Sequence, residues 1–489
     1  MNTYGTRKGL VLALLCLAQF MVIMDIAIVN VALPSIQTDL GLRDSTLQWV
    51  VIAYGLFLGG FLLLGGRLGD LLGARRILLV GMAIFTAASL LAGLAGSAEL
   101  LIGARALQGF GAALLAPSAL SILAVTFAEG QERNRALGIF GAVGASSASI
   151  GVIASGLLTD GPGWRWIFFI NIPVGLLLIA LAARILPVDR AQRGPRHYDA
   201  AGAATVTAGL LLFVYGLNRG VEDGWRSATT LALFAAAAIL LVAFVWVESR
   251  TQSPLVPAAA LKNRTMLASD VAAFLLFGAF IAFIFLGTLM MQQLLSYSPT
   301  RTGVAWLATS LTAFLAAAVA GERLVAAIGV RRLLVVGASL MALGGAWLTR
   351  MSPGADFATD LLPALLLMGI AVGLSGPAVQ IGALSGVADS AVGLASGLVE
   401  TMREIGGAVA IAAVSTVLVA RTSDAGAFAS PADQGAAAFD AYQAAFVVIV
   451  VLAVIGAFTA SLAFPDASPA ASAKPPNVEV MVTEASSAD

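Results

Sequence analysis

The chain reads as an all-α membrane protein with fourteen transmembrane helices, arranged as two parallel six-helix halves plus two inserted central helices. Three observations predict this class. The composition is 59% hydrophobic and 11% charged, with a mean hydropathy of +0.95, whereas a soluble domain is roughly 25% charged. Apolar runs long enough to cross a bilayer recur along almost the whole chain. Finally, one phrase is written twice: residues 65–81 are GGRLGDLLGARRILLVG and residues 321–337 are GERLVAAIGVRRLLVVG.

Composition excludes several classes at once. A chain of 489 residues this apolar has no way to hide its surface from water. Lys and Arg balance Asp and Glu at 27 each, so no electrostatic field favours nucleic acid. The single cysteine, Cys16, rules out a disulfide framework or a cysteine metal cluster. It lies in an apolar run and reads as a small core residue. The single histidine, His197, lies in a basic loop and reads as solvated. No nucleophile–base pair, metal cluster or phosphate loop is present, so the chain is not expected to be an enzyme or to need a cofactor.

About 20 mostly apolar residues span the hydrocarbon as a helix, because a helix satisfies its own backbone there. The runs that meet this length in the first part of the chain are 9–34, 46–66, 77–96, 99–124, 135–158 and 164–187. Two more, 199–218 and 228–247, follow. The last six are 266–294, 301–320, 331–350, 360–384, 391–418 and 440–463. The first has no small-residue cleavage site behind it and reads as a retained span. From Asp466 the chain turns to Ser, Pro, Ala and Glu, too polar to bury a core and expected to be disordered.

The doubled phrase orders these runs. Arg67 aligns with Arg323, Gly73 with Gly329, and the pair Arg75–Arg76 with Arg331–Arg332. With a slightly larger offset, Gly109 aligns with Gly369 and Pro117 with Pro377. The matching loops follow the second and tenth runs, so a six-helix unit is repeated with two helices inserted. The predicted divisions are a first half over 1–190, an inserted pair with its linkers over 191–262, a second half over 263–465 and a tail over 466–489. With the N-terminus inside, inner segments hold eighteen Lys and Arg and outer segments seven, leaving Arg105 and Arg403 within spans. The positive-inside rule then puts both termini in the cytoplasm. The inserted helices read as carrying no buried charge and are expected to pack at the periphery.

Charges retained inside apolar spans are costly and mark function. Asp25 in the first span and Arg105 in the fourth lie at similar depth, and a buried or cavity-lining relationship between them would satisfy both. Arg105 aligns with Leu365, so the repeat does not require it. Asp70 aligns with Ala326; an acid in that turn can cap the following helix or pair with a basic residue across the halves, and a latch that helps close the cytoplasmic side is expected. Glu400, Arg403 and Glu404 in the thirteenth span share one helix face. One Glu–Arg pair there can be structural, while the second acid suits proton exchange. Met290, Gln292, Gln293 and Phe283 in the ninth span suit either a re-packing substrate cavity or ordinary helix packing.

Several stretches resemble the fourteen-helix drug:proton antiporter family of the major facilitator superfamily. They are MDIAIVNVALP at 24–34, GGRLGDLLGARR at 65–76, RALQGFGAALLAPSALSI at 105–122, WRWIFFINIPVG at 164–175 and QQLLSYSPTRTG at 292–303. The resemblance implies a major facilitator fold in the cytoplasmic membrane, exporting amphipathic small molecules in exchange for protons. It implies a proton or cation site at Asp25 with Arg105 as coupling partner, and a cytoplasmic gate at Arg67, Asp70, Arg75 and Arg76. Glu400 and Glu404 stand where the family more often has uncharged polar residues, and there they suit either added proton sites or the reading of a cationic substrate. Residues 151–156 depart from the family's helix 5 motif, with Val152 for its proline and Ser155 for a glycine. A weaker kink and looser packing are expected there. Export of one self-made metabolite, or a non-transporting membrane sensor on the same fold, are the competing readings.

Overall fold

The computed structural model describes residues 3–186, 199–251, 254–256, 262–352, 354–388, 391–425 and 431–464. Among them every regular element is helical. The first half comprises α1 (Thr3–Leu40), α2 (Asp44–Leu72), α3 (Ala74–Gly93), α4 (Ala98–Thr126), α5 (Gln131–Asp160) and α6 (Trp166–Ile185). The inserted pair is α7 (Ala200–Glu222) and α8 (Ala228–Glu248). The second half follows as α9 (Arg264–Leu294), α10 (Pro299–Val319), α11 (Val325–Leu348), α12 (Phe357–Ala383), α13 (Val392–Ala425) and α14 (Pro431–Ala463). Among the described residues thirteen helices are long and apolar enough to cross a membrane; with α5 they make the fourteen rods the sequence predicts. The tail beyond Phe464 and the segment 187–198, which holds His197, lie outside the described residues.

Helix ends follow from local chemistry. Ser97, Ser227, Ser298 and Asn263 each accept a backbone N–H in the first turn of the helix they precede, the usual work of an N-cap. Gly73, between α2 and α3, has φ 102°, and Gly329 in the second copy of the phrase has φ 79°. Both turns use the left-handed region that glycine enters without strain. The repeat in sequence is therefore a repeat in backbone shape, down to the turn residue.

The halves meet along two seams. In one, α2 runs beside α13: a Cβ added at Gly66 would collide with the carbonyl of Gly393 and lie 3.0 Å from Gly397 Cα. In the other, α5 meets the end of α10, where a Cβ at Gly138 would lie 3.0 Å from Ala317 O and 2.9 Å from the Cα of Gly321, two residues beyond the helix. All these glycines lie toward the end of the bundle that carries the α2–α3 loop, here called the arginine-rich end. Backbones touch there, so that end is closed.

The inserted helices are not both peripheral. Leu210 and Val206 on α7 join Leu63 of α2 and Leu394 of α13 in one buried cluster, so α7 lies across the seam between the halves. Only α8 is predominantly outside, and Asp199 at the start of α7 is 9% exposed. The sequence hides this because bilayer-facing and seam-facing leucines look alike in hydropathy.

Candidate functional site

Five helices of the first half converge on Asp25. Its carboxylate is completely buried, as are Ser89 and Gln108, and Arg105 and Asn171 are 1% exposed. Arg105 Nη1 donates to Asp25 Oδ2 at 2.5 Å. Asp25 Oδ1 accepts from Asn171 Nδ2 at 2.8 Å and from Gln108 Nε2 at 3.2 Å. Arg105 and Gln108 are three residues apart on α4 and share a face, so Arg105 Nη1 also donates to Gln108 Oε1 at 2.9 Å. Gln108 Nε2 reaches Ser89 Oγ on α3 at 2.8 Å.

The guanidinium is held by α2 as well. Arg105 Nε donates to the Val50 carbonyl at 3.0 Å, and its Cζ stacks 4.3 Å from the Tyr54 ring centroid. Such an arrangement uses the planar fork and π-face that distinguish arginine from lysine. Removing one member of a buried ion pair costs about 3–5 kcal/mol, because the other charge is left unpaired. Asn171 Oδ1 is buried beside this carboxylate with no hydrogen-bond partner among the described residues. A protonated Asp25 could donate to an amide rotated to present that oxygen.

Glu400, Arg403 and Glu404 lie on α13. Arg403 Nη1 donates to both oxygens of Glu400, at 2.7 and 2.9 Å, and its Cζ lies 4.2 Å from the Phe277 ring centroid on α9. Glu400 is buried. Glu404 instead faces α2, where a Cβ added at Gly59 would lie 3.7 Å from its own Cβ. Gly59 is little more than one helical turn from Tyr54, so Glu404 sits across the seam from the aromatic ring that carries Arg105.

At the arginine-rich end, Asp70 caps α13 from the other half. The Gly393 N–H donates to Asp70 Oδ1 and the Leu394 N–H to Oδ2, both at 2.8 Å. A carboxylate on a helix N-terminus gains from the unpaired amides and the helix dipole together. The sequence left open a cap on the following helix, α3, or an ion pair across the halves; the acid instead caps a helix of the other half, because the first amides of α13 meet the end of α2 where the seam is closed. Arg67 donates to the Pro254 carbonyl at 3.3 Å. Arg75 donates to the Ala183 carbonyl at 2.5 Å, a bond within the first half. Arg76 is exposed at the start of α3.

The ninth-span residues divide. Phe283 is fully buried against the Trp306 and Phe446 rings, and Met290 is 1% exposed; both sit in the core of the second half. Gln292 and Gln293 are exposed, with Gln293 Oε1 accepting from the Tyr442 hydroxyl at 2.9 Å. In α5, the Val152 side chain lies outside the described residues. Ser155 donates to the Ile28 carbonyl at 2.5 Å, and a Cβ at Gly151 would lie 2.9 Å from Met24 O. Packing of α5 on α1 is thus close, with a hydroxyl bond where a glycine was expected.

Sequence reasoning missed Gln108, Asn171, Ser89 and Tyr54. Two carried a signal: Gln108 is three positions from a buried arginine, and Asn171 is the only amide in the run 166–185.

These features define a helical membrane protein of two joined halves, with a dry charge cluster inside one half and a closable seam between them. The Major Facilitator Superfamily description matches residues 15–411, and the chain belongs to that family. It is 39% identical to the puromycin resistance protein of Streptomyces alboniger over 85% of this chain and 83% of that protein. It is 37% identical to the cephamycin export protein of Amycolatopsis lactamdurans over 93% of this chain and 92% of that one. Among solved structures, the human organic anion transporter MFSD10 superposes with a TM-score of 0.66 at 14% identity, covering 93% of this chain and 99% of that chain.

Proposed function

We propose that this chain exports amphipathic drugs or antibiotics across the cytoplasmic membrane in exchange for protons, by alternating access, with the arginine-rich end and both termini in the cytoplasm. The observation that carries the reading is the buried Asp25–Arg105 pair, which sets a carboxylate against a guanidinium stacked on Tyr54 of α2, the helix that lines the seam. Relatives named for puromycin resistance and cephamycin export supply the substrate class. A proton arriving on Asp25 cancels its charge and leaves Arg105 without a counter-ion. The guanidinium then has the Tyr54 ring on one side and, across the seam, Glu404 and Glu400 as the acids able to answer it. Proton binding in the first half thereby changes the energy of the α2–α13 seam. Arg67, Asp70, Arg75 and Arg76 serve the cytoplasmic gate, Asp70 by holding α13 directly.

Each proton moving inward yields about 2.3 kcal/mol per 100 mV, roughly a forty-fold concentration ratio. In everted vesicles, Asp25→Asn is expected to abolish transport driven by a pH gradient while leaving folded protein in the membrane. Unchanged gradient-driven transport in that variant would remove Asp25 from the mechanism. A second reading, a dedicated exporter of one self-made antibiotic, is favoured by relatives named for single compounds. Susceptibility of an efflux-deficient host to a panel of dyes and antibiotics separates the two: resistance confined to one compound class selects the dedicated exporter.

A further inference from the structure

Pro254–Val256, in the linker that follows the inserted pair, lies fastened over the closed seam. Leu255 is 3% exposed and packs with Leu63 of α2, Leu394 of α13 and Val206 and Leu210 of α7. It therefore belongs to one buried cluster that both halves and the inserted helix share. Three bonds hold it there. Glu248, at the end of α8, accepts the Leu255 N–H on Oε1 and the Val256 N–H on Oε2, each at 3.0 Å. Arg67 Nη2 holds the Pro254 carbonyl from α2.

Glu248 is not alone. Asp199 caps α7 through Oδ1, which accepts the Gly202 N–H at 2.7 Å. Its other oxygen, Oδ2, is buried, and no N–H among the described residues reaches it. A Cβ added at Gly202 would lie 2.5 Å from Asp199 Oδ2 and 2.8 Å from Glu248 Oε1, so both oxygens crowd one small space. The two carboxyl groups therefore face each other across that space. A hydrogen bond between carboxyl groups needs a proton on one of them, since two ionised carboxylates repel.

We infer that Asp199 and Glu248 form a one-proton site whose occupancy fastens the strap Pro254–Val256, and through Leu255 the closed α2–α13 seam. Protonated, the pair bridges the ends of α7 and α8 and presents Glu248 to the strap amides. Stripped of its proton, the pair repels, Glu248 swings from the amides, and Leu255 loses its anchor. Acid conditions at this end thus favour the closed seam and alkaline conditions release it. The surrounding charges do not replace the proton. From α2 come Arg67, which is engaged with Pro254 O, and Asp70, whose carboxylate is engaged with the Gly393 and Leu394 amides. The adjoining turns of α13, Val392–Val399, carry no charge, and Arg250 beyond α8 lies on the Trp246 ring.

The test is amide hydrogen exchange at residues 255 and 256 of the full chain in lipid nanodiscs, corrected for intrinsic exchange, across buffers from mildly acidic to mildly alkaline. It needs no substrate and no gradient, so it succeeds or fails independently of the antiport reading. Protection should fall by about tenfold per pH unit once the proton is lost. Asp199→Asn keeps the Gly202 cap and supplies a permanent donor to Glu248, so its protection should stay high at every pH. Glu248→Ala should leave both amides unprotected throughout. Wild-type protection that ignores pH overturns the proposal, as does an Asp199→Asn profile that follows wild type. Protection that collapses when a chelator is added would assign a metal cation instead of a proton and would also overturn it.

Discussion

Asp25 and Arg105 satisfy each other inside the first half, and that closure sets how each can be changed. Arg105→Lys keeps a positive charge but cannot hold Asp25, Gln108, the Val50 carbonyl and the Tyr54 ring together. Folded protein with transport reduced by at least about tenfold is expected, the factor that ~1.4 kcal/mol of lost interaction produces. Arg105→Ala strands the carboxylate and should cost about 3–5 kcal/mol, read as a lower yield of monodisperse protein and a lower melting temperature. Equal transport rates in Arg105→Lys and wild type would show that the fork geometry is not needed. Asp70 acts differently, because its amides belong to the other half. Loss of a cap costs about 0.5–2 kcal/mol, which shifts a two-state balance by a factor of roughly 2–30. Asp70→Ala should therefore move the population toward an open arginine-rich end without unfolding either half. Spin labels at the exposed positions Arg76 and Ser385 would report the widening, and an unchanged distance distribution would dismiss the latch.

The helices carry the second level of control, through glycine. A methyl group at Gly66 or Gly138 has backbone in its place, so Gly66→Ala and Gly138→Ala should each push a seam apart, whereas Gly103→Ala on α4, where nothing lies within 4 Å, should be neutral. The same spin-label pair distinguishes them: widening in the first two and none in the third. Helix number, order and the turn at Gly73 were legible in the sequence, because hydropathy and a repeated phrase encode them locally. The Asp25–Arg105 contact was legible too, since two opposite charges at one depth in apolar spans have few ways to be satisfied. Asp70 was readable as an acid in a turn, but its partners are main-chain amides 323 and 324 residues away, and any residue supplies an amide. Phe283 and Met290 could not be sorted between cavity and core, for an aromatic or thioether side chain suits both. The seam position of α7 was hidden for the same reason, and the acids at its edge carry little signal, since Asp199 opens the run 199–218 and Glu248 stands one position past the run 228–247.

For the molecule as a whole, the uneven distribution of arginine should decide how the bundle sits in the membrane. The α2–α3 loop with Arg75 and Arg76, and its echo with Arg331 and Arg332, lie at one end, while the α5–α6 turn at 161–165 lies at the other. Moving positive residues to the outer face opposes both the membrane potential and the attraction of anionic lipid on the inner leaflet. The native background suits a labelling test, because Cys16 is the only cysteine and is 7% exposed. A membrane-impermeant maleimide should therefore find little to react with in the wild-type chain. A cysteine placed at Arg76 should react in everted vesicles and stay unreactive in intact cells. A cysteine at Gly161, exposed in the opposite turn, should show the reverse. If the Arg76 site reacts from the outside, the bundle is inverted, the closed seam faces the exterior, and the proposed direction of transport has to be reversed with it.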